Sequence, residues 1–189
     1  VGLRWAHGPF ELMNKVGLEN AHRMANQYAQ LANGGWEVPE NLSGQGNADW
    51  HFKVVDTSID NGIATITINR PEAMNALNET VMAQLGSALD DVNSDSSVST
   101  IVLDGAGKAF VAGADVKFFV DKIRADSIND IYDFTAFGHQ VLDKLESSSK
   151  TTIALTTGLA LAVGLELALT CDHRVGTRRR SFRFPKTPI

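Results

Sequence analysis

The clearest alternation of apolar and polar positions is GIATITIN, Gly62 to Asn69, where Ala64, Ile66 and Ile68 oppose Ile63, Thr65 and Thr67. A period of two predicts a strand, and Arg70-Pro71 ends it. Two β-branched apolar runs, TIVLDG (Thr100 to Gly105) and TTIALTTG (Thr151 to Gly158), read as buried strands. Between the first two strands, Val81, Met82, Leu85, Leu89 and Val92 recur at helical spacing, with Asn78 placed to cap the helix. Ile131, Tyr132, Val141, Leu142 and Leu145 mark a longer helix from Ile128 to Leu145. A helix from about Leu165 to Thr170 and a strand around Arg174 to Gly176 are expected beyond it. Near the start, Leu12, Val16, Ala21, Met24, Ala25 and Tyr28 predict one helix from Glu11 to Leu31, stopped by Asn33-Gly34-Gly35. The stretch WEVPENLSGQGNAD (Trp36 to Asp49) has the Gly, Asn and Pro content of a linker. Strands alternating with helices predict an α/β architecture.

Composition narrows the function classes. With 189 residues, 43% hydrophobic and 21% charged, the chain suits one domain or one domain with an appendage. A net charge of −5 argues against a dedicated nucleic-acid binder. Cys171 is the only cysteine, so no internal disulfide can form and a cytoplasmic location is expected. The run from Leu159 to Leu169 is too short to span a membrane and contains Glu166. The chain begins at Val1 and stops at FPKTPI, and is read as a fragment of a longer protein.

Two predicted strands exit in the same way. TIVLDG leads to GAGKAFVAGADVKFF and TTIALTTG leads to GLALAVGLELAL, each with small residues ahead of a helix. Small residues let a ligand approach the main chain, and free N–H groups at a helix start bind an oxyanion. Facing each other, two such exits would make an oxyanion hole, although Gly-rich turns are also common structural punctuation. GAGK at 105–108 is not a phosphate loop, because Val102 stands where a glycine is required. No GxGxxG follows a predicted strand and no GxSxG elbow exists. His7, His22, His51, His139 and His173 show no i, i+4 pairing, so no metal site is expected; most read as solvated or held by the main chain. Arg178, Arg179 and Arg180, with Phe182 and Phe184, read as a charged loop before an edge strand rather than a phosphate site. Glu166 has two readings: a solvated carboxylate in the first turn of a helix, or a proton-transfer group in an apolar cleft.

From about His51 onward the chain resembles the crotonase (enoyl-CoA hydratase/isomerase) superfamily, through ITINRPEAMNAL, GKAFVAGADVKFF, GLALAVGLELALTCDHRV and FRFPKTP. GPFELMNKVG (Gly8 to Gly17) resembles the closing helical domain of 3-hydroxyacyl-CoA dehydrogenases. The organisation this implies is 1–35 as a dehydrogenase remnant, 36–50 as a linker, and 51–189 as a crotonase-like domain incomplete at its C-terminus. The whole would be a piece of a bifunctional β-oxidation protein lacking its NAD-binding part. The implied fold is a repeated ββα superhelix that binds acyl-CoA thioesters, needs no cofactor, and assembles as trimers or hexamers.

By motif match, the N–H groups of Ala114 and Val163 would hold the thioester oxygen. Ala112, Gly113, Asp115, Val116, Lys117 and Gly164 would line the substrate and CoA path, with Ala73 and Met74 near the adenine end. Glu166 matches one of two acid/base glutamates, and Lys186 stands at the position of the other. A lysine, with an ordinary pKa of about 10.4, is a poor proton-transfer partner at neutral pH. Val163 replaces a glycine, and a positive φ there would strain a β-branched residue. These departures imply weakened hydration. The alternatives are a double-bond isomerase working through Glu166 alone, and a non-catalytic acyl-CoA binder or degenerate fragment.

Overall fold

Gly17 divides the first expected helix in two. The computed structural model describes residues 9–40, 42, 52–176 and 181–183, and the chain falls into two units, Val1–Phe52 and Lys53–Ile189. In the first unit, α1 (Pro9–Val16) and α2 (Leu18–Leu31) meet at Gly17, whose φ of +81° is left-handed. The apolar spacing continues across this glycine, so the pattern hid the break. Leu18 and Ala21 are buried, whereas Met24 and Tyr28, assigned to the same face, are exposed. After α2 the left-handed Asn33 and Gly34 turn the chain away, as the Asn-Gly-Gly signal predicts. Leu42, inside the stretch read as linker, is buried, and its carbonyl is hydrogen-bonded to His22 Nε2.

The second unit carries two sheets. In order, its elements are β1 (Val55–Asp60), β2 (Ile63–Ile68), α3 (Glu79–Ser94), β3 (Thr100–Gly105), β4 (Ala109–Val111), α4 (Val116–Arg124) and α5 (Ile128–Glu146). Then come β5 (Thr151–Thr156), β6 (Leu159–Leu161), α6 (Val163–Leu169), β7 (His173–Gly176) and β8 (Ser181–Arg183). The larger sheet runs β1-β2-β3-β5-β7, antiparallel between β1 and β2 and parallel thereafter. The smaller sheet, β4-β6-β8, is parallel. The pairs β3/β4, β5/β6 and β7/β8 each send one strand to either sheet, and helices follow the first two pairs. This is the expected ββα repeat.

The corners between the sheets demand glycine. A Cβ on Gly105 would lie 2.2 Å from the Phe110 carbonyl oxygen, and one on Gly158 would lie 2.1 Å from that of Lys108. Ile66, Ile68, Ile101, Leu103 and Phe110 are fully enclosed, together with Val81, Leu85 and Leu89 of α3. Gly86 lets α5 approach α3 closely, because a Cβ there would come within 3.2 Å of Val141. Asn78 Oδ1 accepts the Val81 N–H at 3.0 Å and caps α3 as expected, a contact worth about 1 kcal/mol. Phe134 on α5 packs on Phe118 and Phe119 of α4, with ring centroids 4.8 and 5.9 Å apart.

Several boundaries differ from the pattern. The helix expected from Leu165 begins at Val163, the strand expected from Arg174 begins at His173, and the strand expected to Gly158 ends at Thr156. In β1 only Val55 is buried, so no alternation announced the strand. β4 and β6 have three residues each, too few to establish a period.

Candidate active site

The exit from β4 is held by three main-chain hydrogen bonds to two residues, Met74 and Leu77. Ala112 N–H donates to the Met74 carbonyl at 3.1 Å, and Leu77 N–H donates to that of Gly113 at 2.9 Å. Asp115 N–H donates to the Leu77 carbonyl at 2.8 Å. Residues 113 and 115 thus make a parallel bridge around Ala114, whose own N–H points to the opposite side. Among the described residues nothing accepts from it. Gly113 takes φ +94°, a conformation natural to glycine.

The motif NRPEAMNAL supplies the scaffold for this turn. The short 3-10 turn Pro71–Ala73 precedes the left-handed Met74 and Asn75. Asn75 is wholly buried; its Oδ1 accepts the Arg70 N–H at 2.9 Å, and its Nδ2 donates to the carbonyls of Ala106 at 2.9 Å and Ala109 at 2.8 Å. Arg70 Nη1 lies 2.8 Å from Asp115 Oδ2 and donates to the Ala76 carbonyl at 3.2 Å. The other Asp115 oxygen accepts the Lys117 N–H at 3.1 Å and caps α4. Asp115 therefore holds the turn in shape, and the Arg70 ion pair occupies a carboxylate that the motif placed along the CoA path.

The exit from β6 is tighter. Ala162, not Val163, carries the unusual backbone, at φ +48° and ψ −125°. This corrects the expectation of strain at Val163, which is the first helical residue and absent from the positive-φ set. The Ala162 carbonyl accepts the N–H groups of Leu165 and Glu166 at 2.8 and 3.2 Å. The Val163 N–H has no acceptor among the described residues. Gly164 is indispensable to the approach, since a Cβ there would lie 2.1 Å from the Val111 carbonyl oxygen on β4. A Cβ on Gly113 would stand 3.7 Å from that of Ala162, so the two exits lie side by side.

The two exits open on one cavity of about 220 Å³. Ala114, Val163 and Glu166 line it, with apolar walls from Leu77, Met82 and Phe119. Gly164, Leu165, Leu167 and Ala168 form the buried face of α6, which leaves Glu166 on the opposite, exposed side. That amphipathicity explains a lone carboxylate in an apolar run. Glu166 and His139 are the titratable residues of the lining, and neither side chain has a hydrogen-bond or ion-pair partner among the described residues.

His139 was not singled out from the sequence. The available signal was spacing: Thr135, Gly138, His139 and Leu142 of α5 form one helical stripe, and all four line the cavity.

The other expected site residues lie around this cavity rather than in it. Val116 is exposed, and Lys117 borders a separate, more polar groove with Asn78, Glu79 and Asp121. Ala73 and Met74 reach the site through the Met74 carbonyl that holds Ala112. Lys186, Phe184 and the Arg178–Arg180 run lie outside the described residues. Cys171 is buried against α6, and burial pushes its thiol up to about 12, so it is no nucleophile at neutral pH. Among the described residues, no group of three or more His, Cys, Asp or Glu is placed to hold a metal ion, and no helix is long and apolar enough to cross a membrane.

Residues 58–189 match the family model for enoyl-CoA hydratase/isomerase. The chain is 38% identical over 128 residues to a crotonyl-CoA hydratase from Syntrophomonas wolfei, a stretch covering 67% of this chain and 48% of that protein. It is 35% identical, with the same coverage, to a short-chain-enoyl-CoA hydratase from Clostridium acetobutylicum. Among solved structures, an enoyl-CoA hydratase/isomerase from Xanthobacter autotrophicus superposes with a TM-score of 0.63 at 29% identity, over 71% of this chain and 50% of that one. The chain spans about half the length of the curated relatives it matches.

Proposed function

The chain belongs to the enoyl-CoA hydratase/isomerase family, within the crotonase superfamily, and from that premise we propose that its larger unit binds an enoyl-CoA thioester and hydrates it in fatty-acid β-oxidation. The observation that carries this reading is the convergence on one cavity, which Glu166 also lines, of two N–H groups, of Ala114 and Val163, that have no acceptor among the described residues. The thioester oxygen accepts from both N–H groups, which favour the charge that builds there as water adds to the β-carbon. Each such donor is typically worth about 10²–10³ in rate. Glu166 transfers a proton at a wall built largely from apolar side chains. Gly113, Ala112 and Gly164 allow the close approach, and Asp115 holds the turn. Ala73, Met74, Val116 and Lys117 border the route by which the CoA moiety reaches the cavity. The strained Ala162 and the branched Val163 make hydration slower than in an all-glycine exit.

The test is loss of the conjugated enoyl-thioester absorbance when purified protein meets crotonyl-CoA. Turnover is expected, and Glu166→Gln lowers it by about 10²–10⁴. A second reading, double-bond isomerisation, is favoured by one observation: Glu166 is the only carboxylate among the described residues that line the cavity. Isomerised but unhydrated product from a 3-enoyl-CoA selects it. Calorimetric binding of the thioester without any turnover selects an acyl-CoA binder instead.

For the chain as a whole, GPFELMNKVG supports 1–35 as part of a 3-hydroxyacyl-CoA dehydrogenase helical domain. With 36–50 as linker and 51–189 as the crotonase part, the parent protein is bifunctional, and NAD belongs to its dehydrogenase reaction alone. The family resemblance supports assembly as a trimer or hexamer. A single free cysteine suits the cytoplasm.

A further inference from the structure

We propose that His139 is the second proton-transfer group of this site, acting with Glu166 across the cavity into which the Ala114 and Val163 N–H groups open. The proposal rests on the hydratase reading above. Addition of water moves two protons: one leaves the water whose oxygen bonds to the β-carbon, and one reaches the α-carbon. One carboxylate is a short inventory for two transfers in opposite directions, and among the described residues Glu166 and His139 are the titratable side chains of the lining. Imidazole is the side chain whose ordinary titration lies between pH 5 and 8, so it donates and accepts near neutrality.

Three features of α5 aim this histidine at the reaction. His139 shares its stripe with Thr135, Gly138 and Leu142, which all line the cavity, so the helix sets the imidazole on the cavity wall, where it stays exposed to solvent. Gly138 leaves the space beside it open, since a Cβ there would meet nothing within 4 Å. The His139 ring has no partner among the described residues, and Thr135 Oγ1 is engaged with the Ile131 carbonyl at 2.8 Å. The hydroxyl that shares the wall is thus occupied, while the imidazole has no partner among the described residues.

Glu166 accepts a proton from water as the water oxygen bonds to the β-carbon, and the π electrons move onto the thioester oxygen. The enolate collapses, and the α-carbon takes a proton from the His139 imidazolium. A proton then passes from the Glu166 carboxyl to the imidazole, which restores both groups and leaves one water added.

The experiment uses the purified protein with crotonyl-CoA. His139→Gln is expected to lower kcat by about 10²-fold or more while calorimetric binding of the thioester changes little. His139→Ala is expected to behave alike and to recover part of its rate when free imidazole is added, a recovery that a packing role would not give. Both variants turning over within about threefold of wild type overturn the assignment and leave the hydratase reading intact. Loss of turnover together with loss of thioester binding, with no response to imidazole, also overturns it. An unmutated protein that binds crotonyl-CoA but never hydrates it overturns the hydratase reading and this proposal with it.

Discussion

At the end of β4 the residue before the Ala114 N–H is Gly113, at φ +94°; at the end of β6 the residue before the Val163 N–H is Ala162, at φ +48°. Both exits border the same cavity, and in both the residue ahead of the N–H has a positive φ. The first uses the residue type that adopts it freely and surrounds it with anchors: the Leu77 bridge, the Met74 carbonyl and the Arg70–Asp115 pair. The second forces an L-residue into a sparsely populated region and secures it by packing Gly164 against Val111. A conformation of that kind costs of order 1–3 kcal/mol and persists only where its surroundings impose it. One donor rests on a relaxed, hydrogen-bonded turn, and the other on strain opposed by close contact.

The largest effect should come from attacking that contact. Gly164→Ala places a Cβ 2.1 Å from a backbone oxygen that has no side-chain freedom to yield. We expect a stability loss of about 3 kcal/mol or more in denaturant unfolding, with turnover lost as α6 separates from β4. Normal stability in this variant would show that the second exit does not depend on packing.

The reciprocal exchange is next. At Gly113 the nearest atoms to an added Cβ are 3.5 and 3.7 Å away, so Gly113→Ala is a conformational change without a clash. It should cost about 1–2 kcal/mol, whereas Ala162→Gly should gain about 1 kcal/mol. Opposite signs in the two denaturation midpoints confirm the contrast. Equal signs erase it.

Much of this comparison could not be read from the sequence. GLALAVGLELALTCD and AGAD carried the family resemblance, and the expectation of Glu166 and the two donors came with that resemblance. The φ angles of Ala162 and Val163 are properties of a packed backbone, so strain was expected one residue too late. Strands β4 and β6, which place the exits side by side, are too short to show a period. His139 is an exposed helical histidine, and only the packing of α5 shows that its stripe lines the cavity. Likewise Asp115 looked like a ligand-path residue until Arg70, 45 positions earlier in the chain, was found against it.

The smallest predicted effect lies at the far end of α6. The Thr152 N–H donates to Asp172 Oδ2 at 2.8 Å and the Thr152 hydroxyl donates to it at 3.0 Å, and these bonds hold the carboxyl below the usual carboxylate range. A lowered carboxyl contributes stability that is fully present above its unfolded value, about 3.9, and lost as pH falls through the lower folded value. The stability difference between wild type and Asp172→Asn should therefore be largest above about pH 4 and shrink on further acidification. A difference that is flat with pH would detach this anchor from the carboxylate.

The central claim is that both exits present their N–H groups to one thioester oxygen. Vibrational difference spectroscopy of crotonyl-CoA, labelled with ¹³C at the thioester carbonyl and bound to the protein, tests it directly. The account predicts a carbonyl stretch shifted to lower frequency than in water, with a smaller shift in Gly113→Ala. A bound carbonyl that absorbs where it does in water, in protein saturated with the thioester, would contradict it.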